Sequence, residues 1–116
     1  MKIIDINEGK KIPYEVVNET KITFDSMLTI DLSRYQKEEE SVIDISLNDD
    51  DMLQMGLGKW YIANISIPPK EYELIENGTD ENESVIYKRV SKGLDMDKVT
   101  LTLWSLPYNY DIEGGF

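Results

Sequence analysis

Apolar and polar residues alternate with a period of two along much of this chain, the signature of strands half-buried in a sheet. Every second residue from Leu53 to Ile67 reads Leu53, Met55, Leu57, Lys59, Tyr61, Ala63, Ile65, Ile67, and seven of these eight are apolar. Gln54, Gly56, Gly58, Asn64 and Ser66 occupy the other side, interrupted by Trp60 and Ile62. The pattern predicts one long strand, bent or bulged at Gly56-Leu57-Gly58. Pro68-Pro69 ends it, because proline cannot donate to a ladder. Val99, Leu101 and Leu103 alternate with Thr100 and Thr102 and predict another strand, closed by Pro107.

Turn lengths can be tested against faces, since a slip of one residue moves every side chain to the other side of a sheet. Ile43, Ile45 and Leu47 share a face. A five-residue loop from Asn48 to Met52 then pairs Leu47 with Leu53, Ile45 with Met55 and Ile43 with Leu57. A three-residue loop, Asp25-Ser26-Met27, pairs Phe24 with Leu28 and Ile22 with Ile30. Tyr14 and Val16 join Ile22 and Phe24 across a polar turn at Asn18-Glu19. Two strands with poor alternation, about Lys70–Glu76 and Ser84–Val90, flank the loop Asn77–Glu83 and predict a protruding hairpin. Lys2–Ile6 is a further short strand.

Two segments resemble helix starts. Ser33-Arg34-Tyr35-Gln36 fits a capping box, but Glu38-Glu39-Glu40 would then sit at the negative end of the dipole, leaving one turn at most. Asn48 and three aspartates also look like a cap, which the strand register through the same residues outweighs. The prediction is an all-β, mainly antiparallel fold of about nine strands, a sandwich or partly open barrel with at most one short helical turn.

Composition agrees. Ile, Val and Thr supply 26 β-branched residues against a single alanine, Ala63, a balance that favours pleated sheet over helix. Ile, Leu, Val and Phe number 32 of 116 residues, enough for a modest core. One domain over residues 1–116 is expected, with residues 107–116 a tail that adds a strand, frays or pairs with a partner. With no Cys and no His, disulfides, thiol nucleophiles, imidazole bases and ordinary zinc sites are excluded. No apolar run reaches the roughly 18 residues that span a bilayer. Met1-Lys2-Ile3-Ile4-Asp5 lacks the apolar core of a signal peptide, so a cytoplasmic protein is expected. The four Asn-x-Ser/Thr triplets, at Asn18, Asn64, Asn77 and Asn82, are then chance.

Charge is the most uneven property. The net charge is −11, yet Glu38–Asp51 holds seven acids and Glu71–Glu83 six, with no base in either. The rest of the chain has 10 acids and 12 bases. Acidic loops keep small β proteins soluble and discourage edge pairing. They also form negative surfaces that steer and select a basic partner, and they repel nucleic acid. The candidate partner-binding residues are Glu38, Glu39, Glu40, Asp49, Asp50, Asp51, Asp80, Glu81 and Glu83. Neither Asp49-Asp50-Asp51 nor Asp95-x-Asp97 fits the calcium-loop spacing, and no phosphate-binding motif occurs, so no metal, cofactor or catalytic residue is assigned. Trp60 and Trp104 both fall opposite their strands' apolar rows, as second-layer packing or as interface anchors.

Met52–Ile67, Ile67-Pro68-Pro69-Lys70-Glu71-Tyr72-Glu73-Leu74 and Asp95-Met96-Asp97-Lys98-Val99-Thr100-Leu101-Thr102-Leu103-Trp104 resemble small acidic proteins of unassigned function from phages and prophages of Firmicutes. The likeness covers about the latter two-thirds of the chain and implies context only: a phage accessory or structural protein in a bacterial host. Three functions follow. The first is a non-enzymatic protein whose acidic surface binds a basic host protein, for instance a nucleic-acid mimic that inhibits a CRISPR effector. The second is a small virion structural or assembly protein. The third is a carboxylate-dependent enzyme. A charge of −11 on so small a domain predicts a monomer, or at most a dimer with its Trp face buried.

Overall fold

The computed structural model describes residues 1–110, and over these the chain is all-β, with ten strands and no helix longer than a single 3-10 turn. Five strands form the main sheet in the order β1 (Lys2–Asp5), β10 (Thr100–Leu103), β7 (Trp60–Ile67), β5 (Ser41–Leu47), β6 (Leu53–Met55). A second sheet is the meander β2 (Tyr14–Val17), β3 (Lys21–Phe24), β4 (Leu28–Asp31). The remaining pair, β8 (Tyr72–Thr79) and β9 (Val85–Ser91), stands alone. Every pairing is antiparallel except β1 with β10.

The first two sheets share one core. Ile22, Phe24 and Ile30 of the meander join Ile45, Leu47, Ile65 and Leu101 of the main sheet in a single apolar cluster, completed by Ile12, Leu32 and Val99. Each such side chain contributes about 1.5–3 kcal/mol when fully buried. The outer face of the main sheet carries Val42, Asp44, Asn64, Thr100 and Thr102 and faces solvent, as antiparallel sheets commonly do.

The register read from turn lengths holds in the two-strand hairpins. Leu47 pairs with Leu53 and Ile45 with Met55. Phe24 pairs with Leu28 and Ile22 with Ile30, while Tyr14 and Val16 lie opposite Phe24 and Ile22. The long strand from Leu53 to Ile67 does not form. It breaks at Gly56–Lys59, and its second half crosses to the other side of β5, so Ile43 pairs with Ile65 rather than Leu57. The crossing presses on the β5 backbone: a Cβ on Gly58 would lie 2.3 Å from the Leu47 carbonyl oxygen and 2.5 Å from Ser46 Oγ. Gly56 turns with φ +96°, and Ser46 Oγ donates to its carbonyl at 2.7 Å. β5 thereby becomes an inner strand.

Between Ile45 and Ser46 the register of β5 with β7 shifts, leaving Ile62 extra. This bulge buries consecutive residues, Ile62 and Ala63, and reverses the parity before it. Trp60 therefore lies opposite Leu47, on the core side of the sheet, and Tyr61 turns to the outer face with Ser46. That corrects the expectation that Trp60 and Trp104 share the face away from the apolar rows.

The local turns also differ in detail. The turn at Leu32–Arg34 is capped by Asp31, not by Ser33, whose backbone N–H donates to Asp31 at 3.1 Å. A second 3-10 turn, Met96–Lys98, is capped by Asp95. Asn48 organises a turn rather than a helix, its side-chain oxygen accepting from the N–H groups of Asp50 (2.8 Å) and Met52 (3.0 Å). Of the tail, Tyr110 packs on the core and donates its hydroxyl to the buried Asp25 at 2.8 Å; residues 111–116 lie outside the described residues.

Candidate functional site: a protruding arm and three acidic clusters

β8 and β9 form an arm. Pro68-Pro69 stops β7, and the chain then runs out and back as two strands that, among the described residues, pair only with each other. The protein measures 70 × 24 × 24 Å, with a radius of gyration of 18.9 Å. A compact chain of this length would have about 13 Å, and the arm accounts for the excess. At about 3.3 Å per residue, an eight-residue strand reaches roughly 26 Å.

The root of the arm is pinned on several sides. Gln36 Nε2 donates to the carbonyls of Pro68 and Pro69, both at 3.2 Å. The Lys70 N–H donates to Lys37 O at 2.8 Å. Lys98 Nζ meets Glu71 Oε1 at 2.6 Å. Hydrogen bonding to Lys98 holds the Glu71 carboxyl below its ordinary range, and the same bond raises the Lys98 ammonium. The Tyr72 hydroxyl donates to Glu38, whose carboxylate raises the phenol's pKa. Arg89 lies 3.6 Å above the Tyr72 ring, a cation–π contact.

Beyond the root both faces are open. Leu74 is 67% exposed, Tyr87 57%, and Ile75, Val85 and Ile86 more than 40% each. A two-stranded hairpin without a third strand or a covering layer is marginally stable in water. At the tip Asp80 closes the turn, its Oδ1 accepting from the N–H groups of Asn82 (2.8 Å) and Ser84 (2.9 Å). Gly78 (φ +85°) and Glu83 (φ +62°) supply the left-handed turns.

The candidate acids occupy three places. Glu38, Glu39 and Glu40 lie at the arm root, just before Ser41, which pairs with the last residue of β7. Glu40 accepts from Ser66 Oγ at 2.8 Å. Asp49, Asp50 and Asp51 lie past the other end of β5, about 20 Å away by strand rise. Asp51 meets Lys59 at 2.5 Å, which with Asp49 and Asp50 raises the Lys59 ammonium. Asp80, Glu81 and Glu83 are at the arm tip. The two acidic windows of the sequence thus do not merge into one surface.

The tryptophans also separate. Trp60, 43% exposed, donates Nε1–H to Ser105 O at 2.8 Å. Trp104, on the outer face, donates to Asn64 Oδ1 at 2.6 Å and lies 6.3 Å from the Tyr61 ring. Among the described residues no three acids group as metal ligands. An open hollow of about 350 Å³ runs along the part of β5 that β6 leaves uncovered, lined by Tyr35, Val42, Asp44 and Met55. No helix among the described residues is long and apolar enough to cross a membrane. Leu74, Tyr87 and their neighbours were not singled out from the sequence; the poor alternation of their strands was the available signal, because a ribbon open on both faces has no core side.

Comparison with known proteins gives no match: no family model, no characterised relative and no solved structure aligns with the chain.

Proposed function

We propose that this is a non-catalytic assembly protein, a β-sandwich body that reaches a neighbouring protein with its hairpin arm. In the phage context implied by the sequence resemblance, it serves as a small virion structural or assembly component. The observation that supports this reading is the arm itself. Five large apolar side chains stand exposed on a two-stranded ribbon, at a cost that a docked neighbour would remove. Rigid contacts at the root hold the ribbon in one direction, which favours a defined mate. The test is photo-cross-linking in cells that make the protein, from a reactive residue placed at position 87 and, as control, at position 42 on the outer sheet face. Position 87 gives a discrete product. Labelling no stronger than at position 42 overturns the reading.

A second reading rests on the acidic collar that Glu38, Glu39 and Glu40 form at the arm root, where Glu38 accepts from the Tyr72 hydroxyl. Such a collar takes a basic protein in the host cytoplasm, as in an inhibitor of host defence. Decalysine is a simple probe. Its affinity falls with salt, and Glu38→Lys/Glu39→Lys/Glu40→Lys weakens it more than Asp49→Lys/Asp50→Lys/Asp51→Lys does. Equal losses would mean that the acids act only through net charge.

A further inference from the structure

We infer that the occupant of the arm is a second copy of this chain, added edge to edge, with β9 of one arm pairing to β8 of the next. The inference rests on the assembly reading above and names its partner. Among the described residues the ribbon has two open edges, each a row of backbone donors and acceptors with no third strand to meet them.

The charges sort by edge. Glu71, Glu73 and Glu76 lie on or just before β8, and Lys88, Arg89 and Lys92 on or just after β9. Laterally paired strands gain from opposite charges and lose from like ones. Joining two β8 edges sets acid beside acid; joining two β9 edges sets base beside base. Only β9 against β8 brings opposite signs together.

The faces agree as well. Leu74 lies opposite Arg89, and Glu76 opposite Tyr87, so these four share one face. Glu73 with Val90 and Ile75 with Lys88 share the other. A β8 strand added beside β9 at the level of the existing one places Glu76 diagonal to Arg89 on the first face and Glu73 diagonal to Lys88 on the second. In the same addition Leu74 stands directly beside Arg89 and Ile75 beside Lys88, with Leu74 diagonal to Tyr87 and Ile75 diagonal to Val90. Among the described residues Lys88 forms no ion pair within its own chain, and Arg89 stacks on Tyr72 instead.

The register irregularity between Glu76 and Thr79 ends the regular pairing of the ribbon. Pairing is thereby confined to about five residues at each edge, long enough for main-chain bonding to give affinity and side chains to give selectivity. The contact is heterologous, with one edge type meeting the other. Each copy therefore steps about 10 Å along the assembly and is turned by roughly 40–50° through sheet twist, which swings the 24 Å-wide bodies past one another. The copies close into a ring or continue as a stack. The −11 charge of each chain opposes close approach at low salt. Assembly is therefore favoured near physiological salt, where charges beyond about 8 Å are screened.

Sedimentation velocity of the full chain in 0.15 M salt tests this with four samples. They are the wild type, Lys88→Glu/Arg89→Glu, Glu73→Lys/Glu76→Lys, and an equal mixture of the two variants. The wild type forms species larger than one chain of 13.4 kDa, growing with concentration. Each variant alone has two like-charged edges and associates about tenfold or more weakly. The mixture regains assembly, because one variant's acidic β9 edge meets the other's basic β8 edge, and this recovery also shows that both variants fold. Undiminished assembly by each variant alone, or no recovery on mixing, overturns edge pairing. So does a wild type that stays at 13.4 kDa at every concentration. The cross-linking at position 87 separates the two proposals: a product with a different protein keeps the assembly reading and removes the second copy, while no product removes both.

Discussion

The body and the arm are built from the same kind of strand and meet opposite fates. In β7, Ile62, Ala63, Ile65 and Ile67 are all fully buried, between neighbouring strands and under the meander. In β8, which follows four residues later, Leu74 is 67% exposed and only Tyr72 is partly covered. Neither strand is poor in apolar residues. What differs is whether a second layer exists, so apolar content identifies a strand but does not say whether anything lies against it. Leu74 and Ile75 are adjacent, on opposite faces of their ribbon, and a single core cannot take both.

Four measurements test that contrast. The largest effect belongs to the body. Phe24→Ala removes a fully buried ring from the shared core and should cost about 3–5 kcal/mol in denaturant unfolding. A loss below about 1 kcal/mol would mean the two sheets are not tightly joined. Next is the crossing at Gly58. Gly58→Ala forces a methyl group into the 2.3 Å gap to the Leu47 carbonyl and should cost about 1–3 kcal/mol, the usual range for overpacking. Gly78→Ala in the arm meets no atom within 4 Å. It should disturb the body's melting far less, leaving only local backbone strain at φ +85°.

The third test is acid. Hydrogen bonds from Ser33 and Thr20 hold the Asp31 carboxyl below its ordinary 3.8. A carboxyl whose folded value is depressed favours the folded state above its unfolded value, and that contribution disappears as pH falls through the folded value. Wild-type stability should therefore drop more steeply below about pH 4 than that of Asp31→Ala. Parallel pH profiles would show that this cap carries no linkage. The smallest effect is the most telling for the arm. Leu74→Ser should change unfolding free energy by less than about 0.5 kcal/mol in dilute protein. A loss above about 2 kcal/mol would mean that Leu74 is already covered in solution.

The fold was legible where a short turn joins the two strands concerned. The loop Asn48–Met52 fixes the parity of Leu47 against Leu53, and Asp25-Ser26-Met27 fixes Phe24 against Leu28, because an even or odd residue count leaves one arrangement that keeps apolar side chains together. The hairpin around Asn77–Glu83 was legible as two short strands about a polar loop but not in its register, because poor alternation marks no core face. The break at Gly56–Lys59 was not, since alternation continues unchanged through Leu57 and Lys59 while the chain changes sides of β5. Nor was the bulge at Ile62, whose reversal of parity misplaced Trp60. The pairing of β1 with β10 joins residues that no local pattern relates. The acids were legible as runs but not as a surface, because the strand length that separates Glu40 from Asp49 decides that they face different neighbourhoods.

That last strand pairing, β1 with β10, has a consequence for how the protein is made. Lys2 lies beside Thr100 and Ile3 beside Leu101, so β1 is made about a hundred residues ahead of the strand it pairs with and waits for it. Synthesis at about 5–20 residues per second leaves β1 without its mate for several seconds. Meanwhile the meander and the β5–β7 unit can form from contacts close in sequence. β10 then pairs with β7 along Thr100–Leu103, and β1 joins its other edge. A nascent chain arrested before residue 100 should hold a protease-resistant middle and a digestible amino-terminal strand.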